Sequence, residues 1–278
     1  MFSLDECITD STRFYLIKPE EQKKRKFFRF FKQKDYEKRI FRKDFNHAEF
    51  VGEELCNVRN LRCARFFLIG EGGLYQINRT APFSDIKGQG YQLRLGSYDF
   101  RDPVAFDYFQ IVDTGLRNDH DYLEDILEFA PTDENRRELL DEIEEMFALD
   151  TFMGQTDRYW NNVIFERNKK TKEIHLAPLY DFEYSLKSSS MDPDMMYGNV
   201  LHNFRGEEDY IAFIQEHPEF ADKLKYYLDV DLLEVIQRAY RSKGIKLPEY
   251  SIPHYLAFEQ ERKDFIRRVT GDQKERAT

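Results

Sequence analysis

Residues 154–186 read GQTDRYWNNVIFERNKKTKEIHLAPLYDFEYSL, and this stretch decides the fold. Asp157 is followed five residues later by Asn162, which opens the apolar run Val163-Ile164-Phe165. A polar, lysine-rich break at residues 168–172 follows, and a second apolar run, residues 174–180, delivers Asp181. Two short apolar runs about a polar turn predict a β-hairpin. With its midpoint near Thr171, Asn162 and Asp181 are expected opposite each other at the open end, where facing Cα atoms lie ~4.5–5.5 Å apart. A carboxylate and an amide oxygen at that separation suit one Mg2+, a hard cation that takes oxygen ligands and nucleotide phosphates. Asp157, on the loop entering the hairpin, is then placed to accept a proton from an attacking hydroxyl. Asp and Asn are common at strand ends for turn-forming reasons alone. That account serves any one of the three; all three around one hairpin point to a phosphoryl-transfer site.

Working outward from this hairpin, residues 134–153 carry apolar positions at helical spacing (Leu139, Leu140, Ile143, Met146, Phe147, Phe152). Thr132 or Asp133 is the expected cap, and Gly154 the expected end. Asp150 falls on the apolar side of this helix and is expected to hydrogen-bond the backbone of the loop holding Asp157. Towards the N-terminus, residues 13–18 read as a strand stopped by Pro19, and a helix is expected from about Asn46. Residues 66–69 and 74–77 flank Glu71-Gly72-Gly73, a hairpin signal, and residues 91–100 supply another strand. After Phe100 the texture becomes helical, with breaks at Pro218, Pro248 and Pro253. The expectation is an α+β, bilobal chain: a small antiparallel-sheet lobe with one helix over residues 1–100, and a larger helical lobe over residues 101–278.

Composition agrees with this and bounds the function. The 278 residues are 41% hydrophobic, enough for a sizeable core, and no apolar run approaches the ~18–20 residues of a membrane span. The N-terminus has no basic region leading into an apolar one, so a cytoplasmic protein is expected. Its three cysteines show no metal-ligand spacing. The net charge of −10 is uneven: residues 23–43 hold a local +9, residues 101–150 a local −12. Six aromatics interleave the basic block, a pattern that can grip nucleic acid through phosphates and stacking. An insertion with buried Phe and solvated Lys heads explains it equally simply and is favoured.

The string Gly154-Gln155-Thr156-Asp157, then Asn162, then Leu176-Ala177-Pro178-Leu179-Tyr180-Asp181 resembles the HipA-like serine/threonine kinases, the bacterial toxin-kinase family with a protein-kinase-like fold. Tyr15-Leu16-Ile17-Lys18-Pro19 is similar to that family's nucleotide-lysine strand, Ala48-Glu49-Phe50-Val51 to its glutamate helix, and residues 95–100 to its hinge. The resemblance implies ATP and Mg2+ as co-reactants. It implies Asp157 as catalytic base and Asn162 and Asp181 as metal ligands. Lys18, paired with Glu49, would hold phosphates, although Glu53 competes one helical turn further along the same face. Ser97, Tyr98, Asp99 and Phe100 would present backbone groups to adenine. It further implies a protein substrate and an antitoxin partner. Departures are Tyr159 where the family has His, Glu183 in place of a third-position Gly, and no glycine before Lys18. Thr9 to Thr12 would then form a short phosphate loop, with Ser11 and Thr12 as candidate autophosphorylation sites. Two alternatives stay open: a pseudokinase that binds nucleotide as a scaffold, and a phosphatidylinositol-kinase-like phosphotransferase.

Overall fold

The computed structural model describes residues 8–10, 13–18, 45–70, 93–98, 100–110, 122–155, 158, 162–182, 184–186, 206–244 and 246–272. Strands β1 (Ile8–Asp10), β2 (Arg13–Lys18), β3 (Phe66–Gly70) and β4 (Leu93–Tyr98) form one sheet in the order β1-β2-β4-β3, antiparallel throughout. Asp10 stands opposite Arg13, so the link from β1 to β2 spans only positions 11 and 12. On β4, Ser97 is opposite both Leu16 and Phe66. The partner of β3 is thus β4; residues 74–77, the second arm of the expected hairpin, lie outside the described residues.

Helix α1 (Phe45–Arg59) starts one residue before Asn46, which therefore sits inside its first turn and not at the cap. Ala48, Phe50, Val51, Leu55 and Cys56 are all buried, giving a helix covered on most sides. Each large apolar side chain so buried contributes roughly 1.5–3 kcal/mol. The chain leaves α1 at Asn60, in the left-handed conformation that Asn tolerates, with φ of 57°. It then passes through residues 61–65 into β3.

Beyond Phe100 the first element is a strand, β5 (Phe106–Phe109), where the sequence texture predicts helix. It pairs antiparallel with β6 (Phe165–Asn168), which pairs with β7 (Ile174–Leu176), making a second sheet in the order β5-β6-β7. The hairpin is therefore present and carries a third strand. Its register sets Phe165 opposite Leu176, two residues away from the pairing that would set Asn162 opposite Asp181. Both of those residues lie beyond the strand ends.

Helices α2 (Tyr122–Glu128), α3 (Asp133–Met153), α4 (Glu207–Glu216), α5 (Pro218–Tyr226), α6 (Leu232–Ser242) and α7 (Ile252–Thr270) complete the described chain. Thr132 is the cap of α3, its hydroxyl accepting the Asn135 N–H at 3.1 Å. Pro218 and Pro253 open α5 and α7, where a missing N–H costs nothing. One continuous apolar core runs from α1 through α3 and the hairpin to α6 and α7. Among the described residues no helix is long and apolar enough to cross a membrane.

Candidate active site

Helix α3 delivers the loop. At its end Gly154 adopts φ of 60°, and the Gly154 and Gln155 N–H groups close on the Thr151 and Asp150 carbonyls at 3.3 and 2.9 Å. This is the paired C-terminal closure that glycine permits. Asp157 itself, with Tyr159, Trp160 and Glu183, lies outside the described residues, as do Asp99, Ser11, Thr12 and the basic residues 23–43.

Next to Asp157, Arg158 turns inward and is 2% exposed. Its Nε and Nη2 donate to the two Asp150 carboxylate oxygens at 2.9 and 2.8 Å. Its Nη1 donates to the Tyr180 carbonyl at 2.6 Å and reaches the Asn162 carbonyl at 3.4 Å. The guanidinium lies 5.1 Å from the Phe182 ring centroid, a cation–π contact. One side chain thus brackets the residues at Asn162 and at the entry to Asp181, although the strand register does not set the two opposite each other. Burial works against the Arg158 cation, but the Asp150 carboxylate, helped by Asp181, outweighs it and holds the guanidinium above its ordinary pKa. Burial pushes the Asp150 carboxyl up, and Arg158 opposes that rise. Asp150 therefore binds the loop through a side-chain ion pair; the bond to loop backbone comes from its carbonyl.

Asp181 adopts φ of 61°, the left-handed region that non-glycine residues seldom occupy. Its flanks hold it there. The buried Gln155 amide donates to the Asp181 carbonyl at 2.7 Å. The Phe182 N–H donates to Glu49 Oε2 at 2.9 Å. Upstream, Leu179 exchanges backbone bonds with Arg62 and Ala64 at 2.9 and 2.8 Å. Downstream, the Leu186 N–H returns to the Met153 carbonyl at 2.8 Å. Asp is among the residues that tolerate this conformation, and these bonds fix the backbone on both sides of it.

Glu49, wholly buried on α1, is the glutamate that faces the site; Glu53 instead accepts from Lys243 and from the Phe66 N–H. The Phe182 ring lies directly on α1 at Gly52, where an added Cβ would come within 2.5 Å of it. Lys18 closes β2 opposite Leu95, and Ser97 and Tyr98 close β4. Phe100, two residues beyond β4, is half-buried, with its ring 6.0 Å from that of Tyr180, the residue before Asp181.

Asn162 is buried, 5% exposed, and Asp181 is half-buried. Their amide and carboxylate oxygens are hard donors of the kind Mg2+ takes, and that ion commonly leaves its other positions to phosphates and water. Among the described residues no group of three or more His, Cys, Asp or Glu gathers as an alternative metal site. Arg158, Gln155 and Gly52 are the contributors the sequence reading misses. A signal for the first existed: Asp150 on an apolar face needs a cation, and Arg158 is the one basic residue between 154 and 164.

No family model matches the chain, and no curated protein matches it. In fold it is similar to the Helicobacter pylori proinflammatory kinase CtkA, with a TM-score of 0.59 and 14% identity over 96% of this chain and 92% of that one. It is similar to HipA of Shewanella oneidensis, solved with HipB and operator DNA, with a TM-score of 0.51 and 11% identity over 96% of this chain and 63% of that one. The Golgi casein kinase with Mn/ADP bound gives a TM-score of 0.51 and 14% identity over 96% of this chain and 70% of that one. The chain has a HipA-like, protein-kinase-like α+β fold.

Proposed function

We propose that this chain is a phosphotransferase that moves the γ-phosphoryl group of ATP, with Mg2+, to a Ser or Thr hydroxyl of a protein. The observation that carries the reading is the left-handed Asp181, fixed by Gln155, Arg158 and Glu49. In this reading residues 1–100 and 101–278 form two lobes, and nucleotide lies between them. Asp157 orients the attacking hydroxyl and takes its proton. Asn162 and Asp181 would hold Mg2+, which when bound supplies charge neutralisation at the β- and γ-phosphates. Lys18 engages the phosphates and pairs with Glu49. The backbone of Ser97, Tyr98, Asp99 and Phe100 meets adenine. The protein's contribution is positioning and electrostatic stabilisation, because phosphoryl transfer asks for little covalent chemistry from side chains.

HipA is solved with a partner protein, HipB, and a toxin-type kinase working in the cytoplasm with an antitoxin partner is the corresponding proposal here. Autophosphorylation at Ser11 or Thr12 belongs to the same proposal. A second reading, a nucleotide-binding pseudokinase, is favoured by one observation: the β1–β2 link is two residues long and contains no glycine.

Radiolabelled ATP with Mg2+ tests both readings. Label should pass to protein with the wild type and be lost in Asp157→Ala and Asp181→Ala. Nucleotide binding without transfer in the wild type would establish the pseudokinase. A labelled peptide containing Ser11 or Thr12 would locate autophosphorylation.

A further inference from the structure

The helix that carries Glu49 is gripped along its length by elements far from it in sequence. At its start His47 stacks on Tyr240 of α6, with centroids 5.1 Å apart, and Phe50 meets the same ring edge-on at 5.5 Å. Glu54 pairs with Arg238 at 3.2 Å. At its end Arg59 pairs with Glu145 of α3. The tightest grip is at Lys243, which follows α6. Its ammonium donates to Glu53 Oε2 at 2.6 Å and to the Phe66 carbonyl at 2.6 Å. The same carboxylate oxygen accepts the Phe66 N–H at 3.1 Å. Three elements, α1, β3 and the end of α6, therefore meet at one cation whose side chain is 12% exposed, against a carboxylate 15% exposed. A pair shielded to this degree resists the salt screening that weakens exposed bridges.

Glu53 and Glu49 are one helical turn apart on α1, so they share a face and move together. A rotation or outward swing of α1 that breaks Glu53 from Lys243 also withdraws Glu49 from the Phe182 N–H and lifts Gly52 from the Phe182 ring. The helix cannot leave its post while both ends of that turn are held. We infer that Lys243 is a positioning residue: through Glu53 it pins α1 in the place where Glu49 supports Asp181, so that the site is set by an internal strut and does not wait for a partner to dock α1. The inference rests on the phosphotransferase reading for its catalytic consequence, but the strut itself is a property of the fold.

The population argument sets the expected kinetics. If losing Lys243 leaves α1 docked about a tenth of the time, the apparent nucleotide affinity falls about tenfold, because bound nucleotide must draw the helix back. Turnover at saturating ATP then stays within about twofold. The test compares wild type, Lys243→Met, Lys243→Arg and Lys246→Met by amide hydrogen exchange over α1 and by steady-state transfer from ATP. Lys246 is 76% exposed and pairs with Glu249, so its variant controls for lost surface charge.

Lys243→Met should speed exchange in Phe45–Arg59 at least tenfold while α3 and α7 keep wild-type protection. It should also raise KM for ATP with kcat retained. Lys243→Arg should restore both, and Lys246→Met should change neither. Unchanged exchange in α1 overturns the inference. So does faster exchange in every helix together with a general fall in Tm, which would make Lys243 an ordinary stabilising residue. A wild type that transfers no phosphate while Lys243→Met still loosens α1 sinks the phosphotransferase reading and upholds the strut.

Discussion

Glu144 and Asp150 sit six residues apart on α3, are 2% and 6% exposed, and each is buried against a cation; what those cations touch differs. Lys223 of α5 places its ammonium 2.8 Å from Glu144 and 2.7 Å from Asp141, while His217 approaches Glu144 at 3.1 Å. That cluster ties α3 to the α4–α5 junction through bonds among Asp141, Glu144, His217 and Lys223. Arg158 spends two donors on Asp150 and a third on backbone carbonyls at the site. Lys is a point charge on a flexible stem, suited to joining helices. Arg is a rigid planar fork, suited to fixing the relative position of several oxygens. Two buried pairs on one helix therefore separate into one that joins helices and one that fixes the backbone of the candidate site.

Substitutions should separate them in the same way. The largest effect is expected from Arg158→Met, which strands Asp150 in the core and costs about 3–5 kcal/mol in a urea titration. Arg158→Lys preserves the charge and loses the fork, so stability should recover in part while single-turnover transfer stays down by about 100-fold. Equal recovery of both would remove the distinction. Lys223→Met should cost about 2–3 kcal/mol, with transfer per folded molecule within twofold of wild type, since Glu144 keeps His217. Next comes Gly52→Ala. An Ala in a helix interior normally gains ~1 kcal/mol over Gly, but here its Cβ meets the Phe182 ring at 2.5 Å. A net loss of about 1–3 kcal/mol is expected, as for other overpacked sites. Phe182→Leu in the same chain should recover part of it; a stabilised Gly52→Ala would show that α1 and Phe182 are not in register.

The contrast also shows what the sequence can and cannot express. Local rules held where the deciding contacts are local: Thr132 caps α3, Gly154 ends it, and Arg13–Lys18 is a strand with the bounds its pattern predicts. Glu49 and Glu53 were indistinguishable by periodicity, because only a packed structure shows which meets Phe182 and which meets Lys243. The hairpin was legible but its register was not. Its turn contains no Gly, and Lys172 takes the left-handed conformation, with φ of 70°, while the Asn168 side chain accepts from Lys170 and Thr171 N–H. β5 has no local signal, because Phe106-Asp107-Tyr108-Phe109 becomes a strand only by pairing with β6, about 60 residues on. The inward turn of Arg158 has no local signature, since it is fixed by Asp150 and by carbonyls that meet only after folding.

The smallest effect should come from a third pair on α3, that of Glu142 with His175, and it sharpens the comparison because its cation is a histidine. Glu142 accepts from His175 Nδ1 at 2.9 Å with one oxygen and from the Leu176 N–H at 2.6 Å with the other, fastening β7 to α3. The hydrogen bond to Glu142 raises the His175 pKa, and burial opposes it. A histidine whose folded pKa is raised contributes stability that is complete below its unfolded value of about 6.5 and disappears as pH rises through the folded one. The imidazolium is partly solvent-screened, with about a quarter of the side chain exposed, so the gain is under about 1 kcal/mol. Urea titrations of wild type and His175→Gln should therefore differ most near pH 5.5 and converge in alkaline buffer. A gap that widens with pH would mean that the neutral imidazole, not the cation, is the form the hairpin uses. The wild-type Arg158–Asp150 pair should show no such loss as pH rises from about 5.5 into alkaline buffer, because the guanidinium keeps its charge throughout.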